Sequence, residues 1–178
     1  MQIETATIRR LRDALLKSGR RADAVQSSAY ETLTRAGLLS DSEQSALTQV
    51  DPMAETLFLM MSADGKITDA ERDAVRGAIR GLTDSLLHDG TIQVMLEAYQ
   101  VALEREGREA RLRHLGAKLS GHPSDAEGAF ALAAAVALAD DEVSEEEQRL
   151  VAELATWFGI TTARAKQILD QLEDERAP

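Results

Sequence analysis

The sequence has no cysteine. That absence excludes disulfide staples, thiol nucleophiles and Cys-ligated zinc together, and it suits a reducing compartment. Proline occurs three times and aromatic residues make up 3% of the chain, so little interrupts helix and the core must be built from aliphatic side chains. Long apolar runs are also missing. The longest, Ala129–Ala139, falls short of the roughly 20 residues that cross a bilayer and reads as a buried helix. Arg9 and Arg10 stand near the N-terminus without an apolar stretch behind them, so no signal-peptide pattern is read there. No membrane span is expected, and the expected location is cytoplasmic.

Catalytic constellations are equally scarce. The chain contains no Glu-x-x-His pair, no His-Glu-x-x-His, no Gly-x-Ser-x-Gly and no phosphate-cradling glycine loop, each of which supplies a specific arrangement of nucleophile, base or metal ligand. The three histidines, His88, His114 and His122, are scattered and read as surface or capping residues. Paired carboxylates can do acid–base work, but no nucleophile or oxyanion donor set accompanies them. The expectation is a protein that is not an enzyme.

What the chain does have is acidity and helix periodicity. Its formal net charge is −11, which argues against nucleic acid as a partner. Residues 1–36 carry seven Lys/Arg against four Asp/Glu, so the excess of acid lies in the remainder. Apolar residues recur at helical spacing and strand alternation is nowhere sustained. Helices are predicted near residues 4–17, 20–36, 41–49, 52–62, 69–87, 91–104, 107–120, 125–138, 145–158 and 162–174. Start signals mark several of them. Ser40/Glu43, Thr68/Glu71, Ser124/Glu127 and Ser144/Glu147 have capping-box spacing, in which the hydroxyl accepts from the N3 amide and the glutamate reaches back to the N-cap amide. Asp51-Pro52 reads as a further N-cap with proline at the first helical position.

A shift of 76 positions superposes two acidic junctions. Ala63-Asp64-Gly65-Lys66-Ile67-Thr68 falls on Ala139-Asp140-Asp141-Glu142-Val143-Ser144, and Glu71 falls on Glu147. The correspondence continues through Val75/Val151, Leu82/Phe158, Ile92/Ile168 and Leu96/Leu172. The predicted architecture is therefore all-α: a helical bundle of two pseudo-symmetric three-helix repeats, about 52–104 and 128–175, with an N-terminal helical extension over residues 1–50 and the main domain over 51–178.

Most of each junction is helix-end chemistry. Gly65 can close a helix in the left-handed conformation. Ile67 and Val143 should dip into the core, and the acids after them favour the positive end of a helix dipole. Asp64 and Asp140 are different, because each sits at a helix C-terminus, the wrong end for a carboxylate. Residues 140–147 also hold six acids. If the symmetry brings the turns together, Asp64, Glu71, Asp140 and Glu147 would form an all-oxygen cluster suited to calcium, magnesium or manganese. It is not an EF-hand, since Asp64 and Glu71 are seven apart where that loop needs eleven. A solvated acidic face that docks a basic protein partner explains the same residues without an ion. No cofactor is established by the sequence beyond those candidate cations, and the oligomeric state is left open.

Three other features have structural readings. Gly77 and Gly81 suggest close helix approach, and Trp157-Phe158 suggests core. Arg105, Arg108, Arg111 and Arg113 interleave with Glu104, Glu106 and Glu109, the pattern of helix-face ion pairs.

The segment Met61-Ser-Ala-Asp-Gly-Lys-Ile-Thr-Asp-Ala-Glu71 and its repeat Leu138-Ala-Asp-Asp-Glu-Val-Ser-Glu-Glu-Glu147 resemble the tellurite-resistance TerB family over roughly residues 50–175. The family pattern is Ala-Asp-Gly-x-apolar-x-x-x-Glu in each of two helical repeats. Asp141 departs from it where glycine is expected, and the N-terminal helices are additional. The resemblance implies an all-helical, non-enzymatic bacterial protein of a tellurite-resistance or stress response. It also implies that Asp64, Glu71, Asp140 and Glu147 are the acids that bind a metal or a partner.

Overall fold

A computed structural model describes residues 39–65, 67–138 and 143–176, together with Arg9, Asp13, Leu33, Arg35 and Gly37. Apart from those single positions, the helices expected near 4–17 and 20–36 lie outside the described residues, as do Lys66 and the acids Asp140, Asp141 and Glu142. The chain runs through α1 (Asp41–Met61), α2 (Asp69–Leu82), α3 (Asp89–Glu106), α4 (Arg108–Leu119), α5 (Pro123–Ala137), α6 (Glu145–Trp157) and α7 (Thr162–Arg176). No strand occurs among the described residues, so the fold is all-α as the periodicity predicts. None of these helices is long and apolar enough to cross a membrane.

Two helices form the centre. From Met53 onward every residue of α1 is buried, and α5 is buried on nearly all sides from Ala126 to Ala137. These two make the most extensive helix–helix contact. The alanines of α5 keep it thin enough to lie at the middle, and Leu57 and Phe58 of α1 and Phe130 and Leu132 of α5 are fully buried in the core. Burying each such large side chain contributes about 1.5–3 kcal/mol. The outer helices each give one stripe to this core: Val75, Ala78, Ile79 and Leu82 from α2, and Leu150 and Leu154 from α6. Phe158 is buried as expected, whereas Trp157 is only partly so and carries the Arg113 guanidinium 5.8 Å from its ring centre.

Several boundaries differ from the sequence expectation. Residues 41–61 form one helix and not two. Asp51-Pro52 does not start a helix, because Asp51 is buried inside α1 with both carboxylate oxygens engaged by other helices. Pro52 has no amide proton for the Thr48 carbonyl, a defect of about 3 kcal/mol in an isolated helix. Burial of the nine residues that follow outweighs it. Helix α2 stops at Leu82, five residues early, where Asp84 and Ser85 adopt left-handed φ values of 51° and 61°. That turn lets Leu87 insert into the core. The Ser124/Glu127 box does not form: Pro123 takes a first-turn position with His122 as N-cap, which puts Ser124 inside the helix.

Of the two glycines expected to allow close helix approach, Gly77 and Gly81, the first does not. Gly77 is exposed with nothing within 4 Å of a Cβ built on it, because the buried face of α2 is the opposite one. Gly116 of α4 is the contact glycine. A Cβ there would lie 2.4 Å from the Trp157 carbonyl oxygen of α6.

Candidate functional site

The first acidic junction is built from the end of α1 to the start of α2. Gly65, at φ 80°, takes the left-handed turn expected of it. Ile67 packs against the core and Thr68 caps α2. The Thr68 hydroxyl accepts from the Glu71 amide at 3.2 Å, the Thr68 amide donates to Glu71 Oε2 at 2.7 Å, and the hydroxyl donates to the same oxygen at 2.7 Å. The second junction repeats this at Ser144 and Glu147, with distances of 3.2, 2.9 and 2.8 Å, and Val143 packs against the core as Ile67 does. Ser40 and Glu43 form a third box. The backbone and hydroxyl bonds from Ser40 hold the Glu43 carboxyl below its ordinary pKa.

Of the predicted metal ligands, Glu71 and Glu147 thus serve first as capping residues, each committing one oxygen to its own helix. Asp64 is exposed, and Asp140 lies outside the described residues. Among the described residues, no group of three or more His, Asp or Glu is placed to hold a metal ion.

The end of α1 also has a cation of its own. Arg108, at the first position of α4, donates from Nη2 to the Ser62 and Ala63 carbonyls at 3.0 and 2.9 Å. Both carbonyls follow the last residue of α1, the Ser62 one also accepting from the Gly65 amide at 3.1 Å, and a guanidinium on them offsets the negative end of the dipole. Arg108 thus brings a positive charge to the helix end that Asp64 follows.

Below Arg108 runs a buried polar network that the sequence reading missed. Asp51 and Glu55, one turn apart on α1, are 3% and 1% exposed. Tyr99 of α3 donates its hydroxyl to Asp51 Oδ1 at 2.8 Å, and Lys118 of α4 reaches Oδ2 at 2.9 Å. Arg111 of α4, 5% exposed, donates from Nε to Glu55 Oε1 at 2.7 Å and from Nη1 to Glu106 Oε2 at 2.8 Å. Its Nη2 lies 2.6 Å from Glu55 Oε1, a charge contact without hydrogen-bond alignment. Glu55 Oε2 is buried and makes no hydrogen bond among the described residues.

The electrostatics follow from burial and pairing. Burial pushes the Glu55 carboxyl up and Arg111 only partly restores it. Tyr99 is driven well above the ordinary phenol value by burial and by the carboxylates beside it. Glu106, nearer solvent, is held at about 2 by hydrogen bonds from Arg105 and Arg111. Burial lowers the half-buried His114, and Lys118 and Arg111 lower it further. His88 and His122 are exposed N-cap residues without a side-chain cap bond. The network ties α1, α3 and α4 together. Its charged groups are directed at one another.

The run Val50–Met61 held the clue to it. Two acids one turn apart inside an otherwise apolar helix need partners from elsewhere in the chain. Of the remaining basic residues of the 105–113 stretch, Arg113 forms the expected helix-face pair with Glu109, while Arg105 pairs with its neighbour Glu106.

No curated protein and no solved structure matches the chain. The family described as tellurite resistance protein TerB matches residues 51–175, which takes in both acidic junctions and every helix from the second half of α1 to α7. With most of its length matched in this way, the chain belongs to the TerB family.

Proposed function

We propose that this TerB-family chain works without catalysis in a tellurite-resistance or stress response, presenting its acidic junctions to a basic protein partner. One observation carries the reading. Helix-end needs at the first junction are met by Thr68, Glu71 and Arg108, and at the second by Ser144 and Glu147. Asp69, Glu145 and Glu146, which those contacts do not use, are exposed, and so is Asp64. In a chain of net charge −11, such a surface steers a basic partner and discriminates against acidic ones.

The expected result is salt-sensitive capture of a partner from lysate that is lost when Asp69, Glu145 and Glu146 are converted to Asn, Gln and Gln. These positions make no side-chain contact that the fold depends on, so the variant should fold. Capture that survives the triple substitution, or is indifferent to salt, would count decisively against the docking face.

The second reading is a hard divalent cation held by Asp64, Glu71, Asp140 and Glu147. The same three-bond box built at Thr68 and at Ser144 supports it, since each fixes one glutamate of the set in the first turn of its helix. With Asp140 required to complete the ligand set, calcium, magnesium or manganese should raise the melting temperature through binding linkage. Asp140→Asn should abolish the rise. A melting temperature unmoved by millimolar cation at low ionic strength would sink this reading and leave the first intact.

A further inference from the structure

Two arginines line a cavity beside the first junction. Ser62, Ile67, Arg72, Gln100, Leu103 and Arg108 line a cavity of about 540 Å³, where the end of α1 and the start of α2 meet α3 and α4. That volume lies within the range of roughly 300–1,000 Å³ typical of small-molecule sites.

Arg72 and Arg108 differ from most helical arginines of this chain; like the exposed Arg149 they have no carboxylate partner among the described residues, but both are half-buried. On the helices, Arg76, Arg80, Arg105, Arg111, Arg113 and Arg164 all pair with carboxylates. Lys118 and Lys166 do the same. Arg72 and Arg108 do not pair with any carboxylate among the described residues, yet both line one cavity. Two acids of the lining helices are engaged elsewhere, Glu71 by the Thr68 cap and Glu104 by the Gln100 amide at 2.6 Å.

Arg108 is also oriented. The Ser62 and Ala63 carbonyls hold its Nη2, which leaves Nε and Nη1 as donors on a guanidinium fixed at one edge. The Arg72 side chain makes no hydrogen bond among the described residues. Forked donors of this kind match the oxygens of a phosphate or carboxylate. Partly buried Ile67 and Leu103 give the same cavity apolar walls, and its volume exceeds what a bare anion fills.

From this juxtaposition we infer that the cavity binds a small organic molecule carrying a phosphate or carboxylate. The oxyanion sits on Arg72 and Arg108, and the apolar part lies against Ile67 and Leu103. The site rests on different residues from the acidic docking face and does not depend on that reading.

The test is a titration of the full chain at fixed, physiological ionic strength, where distant acids are screened beyond about 8 Å, with chloride as the balancing ion. Inorganic phosphate is the minimal probe, and phenyl phosphate and benzoate test the walls and the two oxyanion types. At least one organic probe should bind roughly tenfold more tightly than inorganic phosphate, because it adds apolar contact. Arg72→Gln should leave the basal melting temperature nearly unchanged, having no side-chain hydrogen bond or ion pair among the described residues to lose, and weaken binding by about tenfold or more. Arg108→Gln should weaken binding and also lower the basal melting temperature through the lost carbonyl contacts. Binding no different from chloride, full affinity in Arg72→Gln, or organic probes no tighter than inorganic phosphate would overturn the assignment.

Discussion

Arg111→Met is expected to destabilise the protein by about 3–5 kcal/mol, the cost of leaving a buried charge without its partner. Arg111 is 5% exposed and holds Glu55, which is 1% exposed. Methionine fills much of the same volume, so the loss is electrostatic and not a cavity. Urea unfolding measures it directly. Because so large a loss could leave little folded protein, the companion variant is Glu55→Leu/Arg111→Met, which removes both buried charges. It should recover most of the loss, as apolar replacement of a complete buried pair commonly does. A single variant costing less than about 1 kcal/mol, the scale of an exposed pair, would refute the idea that this pair is effectively desolvated.

The same variant has a pH signature. Glu55 has a raised folded pKa, so its contribution favours the folded state at low pH and is lost as pH rises through the folded value. Removing Arg111 raises that pKa further. Glu106 is the opposite case, lowered from 4.5 to about 2. Its stabilisation is present above the unfolded value and is lost as pH falls through the folded one. Arg111 supplies part of that lowering. Both effects shrink the difference between wild type and Arg111→Met as the solution is acidified from neutrality toward pH values below the 4.5 starting point.

Gly116→Ala is the second large effect, and it is a steric one. The added Cβ would meet the Trp157 carbonyl oxygen at 2.4 Å and its carbonyl carbon at 3.2 Å. Both are backbone atoms of α6, so the helices must separate, at a cost of about 1–3 kcal/mol or more. Gly77→Ala is the matched control. Nothing lies within 4 Å there, and alanine should stabilise α2 by about 0.5–1 kcal/mol. One substitution made in two helices should therefore move the melting temperature in opposite directions. A neutral Gly116→Ala would show that α4 and α6 have room to part.

Local signals in the sequence were legible where local chemistry decides the outcome. The boxes at Ser40, Thr68 and Ser144 need only residues three apart, and the turn at Gly65 needs only its missing Cβ. Ser124/Glu127 has the same spacing, but Pro123 starts the helix first and Glu127 turns instead to Arg164, 2.6 Å away. Asp51-Pro52 misled for a deeper reason. Its partners, Tyr99 and Lys118, are 48 and 67 residues distant, and only the packed fold reveals that the aspartate belongs inside a helix. The same distance hid Arg111 within what reads as a surface ion-pair pattern. Of the candidate site, the residue types and the capping role of Glu71 and Glu147 were readable. The cation over the end of α1 was not, because Arg108 reaches it from 45 residues away.

The polar contacts between α1 and α4 run in opposite sequence order. Arg108 meets Ser62 and Ala63, Arg111 meets Glu55, and Lys118 meets Asp51. The two helices are therefore antiparallel and joined by three rungs of different chemistry. Leucines 112, 115 and 119 would tolerate a slide of one turn, about 5.4 Å, since one aliphatic neighbour is much like another. The rungs would not, because each cation would lose its acceptor in the same step. Hydrophobic contact holds α4 against α1, and the charges choose its register.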